Sequence, residues 1–233
     1  MLLDNLQDIR HRIALAATRV KRSPADIKLV AVSKRIAPEK IIAAIDIGHS
    51  VFGENYVQEA LEKIPSIKKL AGQETVFHFI GKLQRNKAKT AAKLFDVIET
   101  LDSIKLGLAL ESHCAAADKP LEAYVQVNIG AEKQKSGVPP EECERLLCEL
   151  ARCQFLHITG LMTMPPYSPN PENTRPYFKQ LRQLSEKLKE KGLLGQRGPV
   201  ELSMGMSGDF EVAIEEGATV VRIGTALFGA RTG

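Results

Sequence analysis

The chain has 233 residues, of which 44% are hydrophobic and 26% charged, and its formal net charge is +4. That length is close to one barrel domain and suffices for a large core, while so mild a charge points to neither nucleic acid nor an anionic membrane surface. Asp4, Asp8, Arg10 and Arg12 interrupt any leader-like apolar run, and no stretch approaches the roughly 20 apolar residues that cross a bilayer, so a soluble cytoplasmic protein with one domain over 1–233 is expected.

Taken in chain order, the pattern alternates. Residues 2–22 carry a helical stripe of Leu2, Leu6, Ile9, Ile13 and Ala17. A β-branched run over 27–33 predicts the first strand. A helix over 38–47 stops at Gly48, and 50–52 is a short strand. Helix 55–70 is expected to break at Pro65. Strand 76–80, helix 84–94, strand 95–99 and helix 103–117 follow. Then come strand 122–128, helix 140–151, strand 155–162, a long amphipathic helix 174–191, strand 201–204, helix 209–216 and strand 219–223. The Pro-rich segment 164–176 reads as a surface loop.

Eight strands separated by helices demand right-handed parallel crossovers and predict an α/β fold, a closed (β/α)8 TIM barrel. A doubly wound open sheet is the competing architecture. Cys114, Cys143, Cys148 and Cys153 form no C-x-x-C pair and read as reduced, small apolar side chains; no metal site is expected.

If the barrel closes, chemistry belongs at the C-terminal ends of the strands. The first strand runs directly into Lys34, which is either a solvated loop lysine or a desolvated amine able to attack an aldehyde. The second ends in Gly53-Glu54-Asn55-Tyr56, where Asn55 suits a small-molecule site or an ordinary helix cap. His78 in the third reads as a site residue or a satisfied core histidine. The seventh leads from Ser203 through Gly205 and Ser207 to Asp209, a Gly/Ser loop entering a helix, and so an anion site or a plain N-cap. The eighth leads through Arg222 to Gly224 and Thr225. Loops after strands seven and eight commonly bind phosphate in barrels. Closure brings the eighth strand beside the first, and so Arg222 beside Lys34. An aldehyde, a ring nitrogen and a phosphate arm would fit that layout, and pyridoxal 5′-phosphate has all three.

The motifs LVAVSK (29–34), FGENY (52–56), HFIGKLQRNK (78–87), GLMTM (160–164), SMGMSGDFEVAIEEG (203–217) and VRIGTALFGAR (221–231) together resemble the pyridoxal phosphate homeostasis protein family, also called YggS/PROSC, across the whole chain. The resemblance implies a barrel like the alanine racemase N-terminal domain, fold type III among pyridoxal phosphate proteins. It implies a Schiff base on Lys34 and Arg222 facing the pyridine nitrogen. The backbone of Gly224 and Thr225, with Ser203 or Ser207, is expected to hold the phosphate, with Asn55 and His78 near the cofactor.

An arginine at the ring nitrogen weakens the ring as an electron sink. The chain also ends soon after the last strand, with no room for the β-rich second domain of a racemase. A monomeric cofactor carrier without substrate turnover is therefore expected, with apo pyridoxal enzymes as recipients. The alternative is a racemase-like enzyme. A third class, nucleic-acid binding through Lys82, Arg85, Lys87, Lys89 and Lys93, lacks interleaved aromatics and reads as a solvated helix face.

Overall fold

The computed structural model describes residues 1–72, 74–132 and 136–229. Helix α1 (Leu2–Arg19) precedes β1 (Lys28–Val32), and the units that follow are α2 (Pro38–Asp46), β2 (Val51–Glu54), α3 (Val57–Ala71), β3 (Val76–Phe79), α4 (Ala88–Leu94) and β4 (Val97–Leu101). The second half runs α5 (Ile104–Ala116), β5 (Leu121–Gln126), α6 (Cys143–Leu150), β6 (Leu156–Met162), α7 (Arg175–Glu190), β7 (Glu201–Ser203), α8 (Phe210–Glu215), β8 (Val220–Ile223) and α9 (Thr225–Phe228). All eight strands pair in parallel, and β8 closes on β1 with Val30 beside Arg222 and Ala31 beside Ile223. The barrel is the expected fold. The open-sheet alternative is excluded because β1 and β8 would then be unpaired with each other.

The period of two along each strand sorts the barrel interior into layers. Val30, Val97, Tyr124, Met162 and Val220 pack together as an apolar layer. Two residues further along β4 and β8, toward the C-terminal face, stand Glu99 and Arg222, and His78 of β3 bonds Glu99 there. The opposite strand faces are covered by the helices. Phe52 and Phe77 stack at 5.8 Å there, against buried Ile64 and Ile67 of α3. Helix α1 buries Leu6, Ile9, Ile13, Ala16 and Ala17 and packs on α8 and α9; Arg12 ties it to Glu211 at 2.6 Å.

Several boundaries differ from the sequence expectations. Helix α3 runs through Pro65 unbroken, because the proline lies on the exposed face while Ile64 and Ile67 anchor the helix to the barrel. Strand β4 begins at Val97, since the Phe95 amide still closes α4 by bonding Ala91 O. That shift places Glu99 in mid-strand rather than at its end. Within the 164–176 loop, Pro171–Thr174 form a short 3-10 helix leading into α7. Cys114, Cys143 and Cys153 are buried free thiols and Cys148 an exposed one. Burial pushes Cys143 up to about 12 and Cys114 to about 11, so both serve as packing groups rather than nucleophiles. The last two residues of the 221–231 motif lie outside the described residues.

Candidate functional site

A cavity of about 160 Å³ opens at the C-terminal mouth of the barrel, over the β1–β8 seam. Lys34, Asn55, Ser207, Arg222, Gly224 and Thr225 line it, with Val32, Ile80, Met164 and Met206 as apolar walls. Six of the eight residues singled out in the sequence thus share one cavity. His78 and Ser203 do not line it. Both are fully buried, Ser203 bonded to Arg222 and His78 to Glu99.

Backbone geometry explains how those side chains arrive. Lys34 leaves β1 at its C-terminal end, and the preceding Ser33 is locked to β2 through its amide on Gly53 O (2.9 Å) and its hydroxyl on Glu54 Oε1 (2.7 Å). Ser207 sits on a turn that Asp209 ties back on itself: Asp209 Oδ1 accepts from the Met206 amide at 2.7 Å, and Met206 O accepts from the Asp209 and Phe210 amides. Gly205 enters this turn at φ +94°, and a Cβ there would lie 2.6 Å from Ala213 Cβ, so only glycine fits. The Gly205 carbonyl in turn accepts the Arg222 amide at 3.0 Å, joining the turn to β8. At the β2 and β3 ends, a Cβ on Gly81 would fall 2.0 Å from Asn55 O, so glycine lets the two loops cross. That crossing sets the position of Asn55.

Beneath the cavity lies a polar network that the sequence reading missed in its central member. Glu99 is fully buried and every acceptor on it is used. Its Oε1 takes His78 Nδ1 at 2.6 Å, and its Oε2 takes the Ser203 hydroxyl at 2.6 Å and faces Arg222 Nη1 at 3.6 Å. Arg222 also donates to Ser203 Oγ and to Thr163 O at 2.9 Å. Burial alone would raise the Glu99 pKa, but the His78 hydrogen bond, the facing charges and Ser203 outweigh it and hold the carboxyl below its ordinary range. Glu99 is therefore an acceptor-only carboxylate, and His78 Nδ1 carries the hydrogen it receives. Burial lowers the pKa of Arg222, against the pull of Glu99 and Asp209. With its charge balanced from below, Arg222 presents a guanidinium to the cavity in a held orientation. The sequence signal for Glu99 was its spacing two residues beyond Val97, on the inward face of β4.

One further group points to a ligand. Asn55 Oδ1 is buried and has no hydrogen-bond partner among the described residues, although Asn55 lines the cavity. A buried amide oxygen without a partner is costly and suits a hydrogen-bond donor in that space. Together the cavity offers an amine, a guanidinium, an amide and a hydroxyl-bearing turn beside the first turn of α9. Such a set fits an anionic, aldehyde-bearing heterocycle.

Comparison with known proteins gives the same direction. The family model described as the alanine racemase N-terminal domain matches residues 5–232. A pyridoxal phosphate homeostasis protein of Aquifex aeolicus (strain VF5) is 40% identical over 228 residues, covering 98% of this chain and 97% of that protein. The pyridoxal phosphate homeostasis protein of Escherichia coli (strain K12) is 41% identical over 228 residues, covering 97% and 95%. The structure of PipY from Synechococcus elongatus PCC7942 with PLP bound superposes with a TM-score of 0.84 at 32% identity, covering 98% of this chain and all of that one.

Proposed function

The chain belongs to the pyridoxal phosphate homeostasis proteins, within the alanine racemase N-terminal domain family, and from that membership we propose that it binds pyridoxal 5′-phosphate in the barrel-mouth cavity and serves intracellular homeostasis of the cofactor. The observation that carries the reading is that Lys34 and Arg222, on opposite sides of the β1–β8 seam, line one cavity with Ser207, Gly224 and Thr225.

When bound, the cofactor would supply an aldehyde able to condense with an amine and release water. Lys34 would provide that amine. Arg222 would serve the ring nitrogen, and Gly224 and Thr225, where α9 starts, with Ser207 would hold the phosphate through backbone amides and the hydroxyl. Asn55 would offer its unpartnered Oδ1 to the ring substituents. His78 and Ser203 would act indirectly, by holding Glu99 and Arg222. A guanidinium keeps its protons at neutral pH and leaves the ring nitrogen unprotonated, so Arg222 favours storage of the cofactor over carbanion chemistry.

The proposal extends to a cytoplasmic monomer that turns over no substrate and passes the cofactor to apo enzymes. Among the described residues no helix is long and apolar enough to cross a membrane. Purified protein loaded with pyridoxal 5′-phosphate should show a visible-range band that borohydride removes, leaving a pyridoxyl adduct on Lys34 by mass spectrometry. Lys34→Ala should lose the adduct completely. Equal uptake by parent and variant would sink the assignment. The carrier role fails if the loaded protein racemises amino acids, or if it activates an apo enzyme no faster than free cofactor at the same concentration.

A further inference from the structure

The turn that carries Lys34 is clamped from behind by a buried cation outside the cavity. Lys63 of α3 has a side chain only 9% exposed. Its Nζ lies 2.9 Å from Ser33 O and 3.4 Å from Ile36 O, the carbonyls that bracket Lys34 and Arg35. It also lies 2.7 Å from Glu54 Oε1 and 2.8 Å from Glu59 Oε1. Glu59, one helical turn before Lys63, uses the same oxygen to accept the Arg35 amide at 2.5 Å. The turn itself closes with the Ile36 amide on Ser33 O at 3.0 Å.

That turn does not hold itself. Arg35 stands at φ +58°, a left-handed conformation that a residue with a side chain adopts at a cost. The Ile36–Ser33 hydrogen bond spans it, and the residue it aims is a lysine with a four-carbon stem. The external bonds from Lys63 and Glu59 supply the missing constraint. Lys63 is itself committed to Glu54, Glu59 and two backbone carbonyls, and so takes no part as a second amine.

We propose that Lys63 is a positioning residue for Lys34: by clamping the 33–36 carbonyls it fixes the direction in which the Lys34 amine enters the cavity. The proposal rests on the reading that Lys34 takes the cofactor's aldehyde. Holding an amine in reacting orientation removes an entropic cost from the condensation, and leaves binding of the ring and phosphate untouched. Lys63 therefore affects only ligands that have an aldehyde.

Pyridoxine 5′-phosphate carries the same ring and phosphate with an alcohol in place of the aldehyde, and it separates the two effects. Titrations of both ligands, with stopped-flow absorbance for the aldehyde, compare the parent with Lys63→Met, Lys63→Arg and Glu59→Gln. In Lys63→Met the visible band should appear at least about 10-fold more slowly, with pyridoxine 5′-phosphate affinity unchanged within about two-fold. Lys63→Arg, which keeps the cation, should recover part of the rate. Should Lys63→Met not fold, Glu59→Gln decides, because Glu59 is partly exposed and its loss leaves the Lys63–Glu54 pair in place; it should slow the band about three-fold on the same grounds. The proposal is overturned if the folded variants treat both ligands as the parent does, or weaken both in parallel. A parent protein that binds pyridoxine 5′-phosphate but forms no band removes the Lys34 reading itself, and this proposal with it.

Discussion

Two fully buried glutamates, Glu99 inside the barrel and Glu54 at the end of β2, meet opposite fates. Each faces a cation and a serine. Glu99 uses both oxygens, one for His78 and one for Ser203 and Arg222, and its pKa is held down. Glu54 spends one oxygen on Ser33 and Lys63, its Oε2 has no hydrogen-bond partner among the described residues, and burial pushes its pKa up despite Lys63. Equal burial therefore does not decide the charge state. The number of donors aimed at the carboxylate does. The difference suits their places: Glu99 balances a cation that lines the cavity, whereas Glu54 sits behind a backbone turn that Lys63 also braces.

The strongest challenge to this contrast is to remove Glu99. Glu99→Ala leaves Arg222 buried without its counter-charge and should cost about 3–5 kcal/mol in urea unfolding. A loss no larger than that of an ordinary surface change would mean the network is not coupled. Ser203→Ala deletes the hydroxyl that bridges Arg222 and Glu99, and should cost about 1–2 kcal/mol by the same measurement, with weakened cofactor uptake. Glu54→Gln keeps a hydrogen-bonding side chain where the carboxyl is only half satisfied, and should change stability by no more than about 1 kcal/mol. A cost matching that of Glu99→Ala would erase the distinction.

Stability against pH sharpens it further. The Glu99 pKa is depressed in the folded state, so its contribution is present above the ordinary value of 4.5 and is lost as pH falls toward the folded pKa. Glu54 has the opposite sign: its folded pKa is raised, so the folded state is favoured while Glu54 is protonated and loses stability as pH rises through that pKa. Glu99→Gln should therefore flatten the loss of stability on acidification below 4.5, and Glu54→Gln should flatten the decline on the alkaline side of that value. Each slope change stays under about 1.4 kcal/mol per pH unit, since one proton is involved. Identical profiles for the two variants would sink the assignment of opposite signs.

Much of the cavity was legible because barrel chemistry collects where strands end, and strand ends can be read from apolar runs. Lys34, Asn55, Ser207, Arg222, Gly224 and Thr225 were found that way, and they line one space. His78 and Ser203 were named as site residues, yet they are fully buried and do not line it. Glu99 escaped because nothing local to its strand tells an inward carboxylate that His78, Ser203 and Arg222 will face it. Lys63 escaped for a different reason. A lysine in an amphipathic helix reads as solvated, and only the approach of α3 to the β1 turn shows it buried.

The sequence by itself determined the barrel and its strand ends, because alternation of apolar runs with helical stripes is a local, periodic property. Tertiary structure alone decided which charged groups face each other: Glu99 with Arg222 across the interior, and Lys63 with the turn of Lys34. Those pairings join residues far apart in the chain, and they depend on which way each side chain points once the sheet has closed on itself.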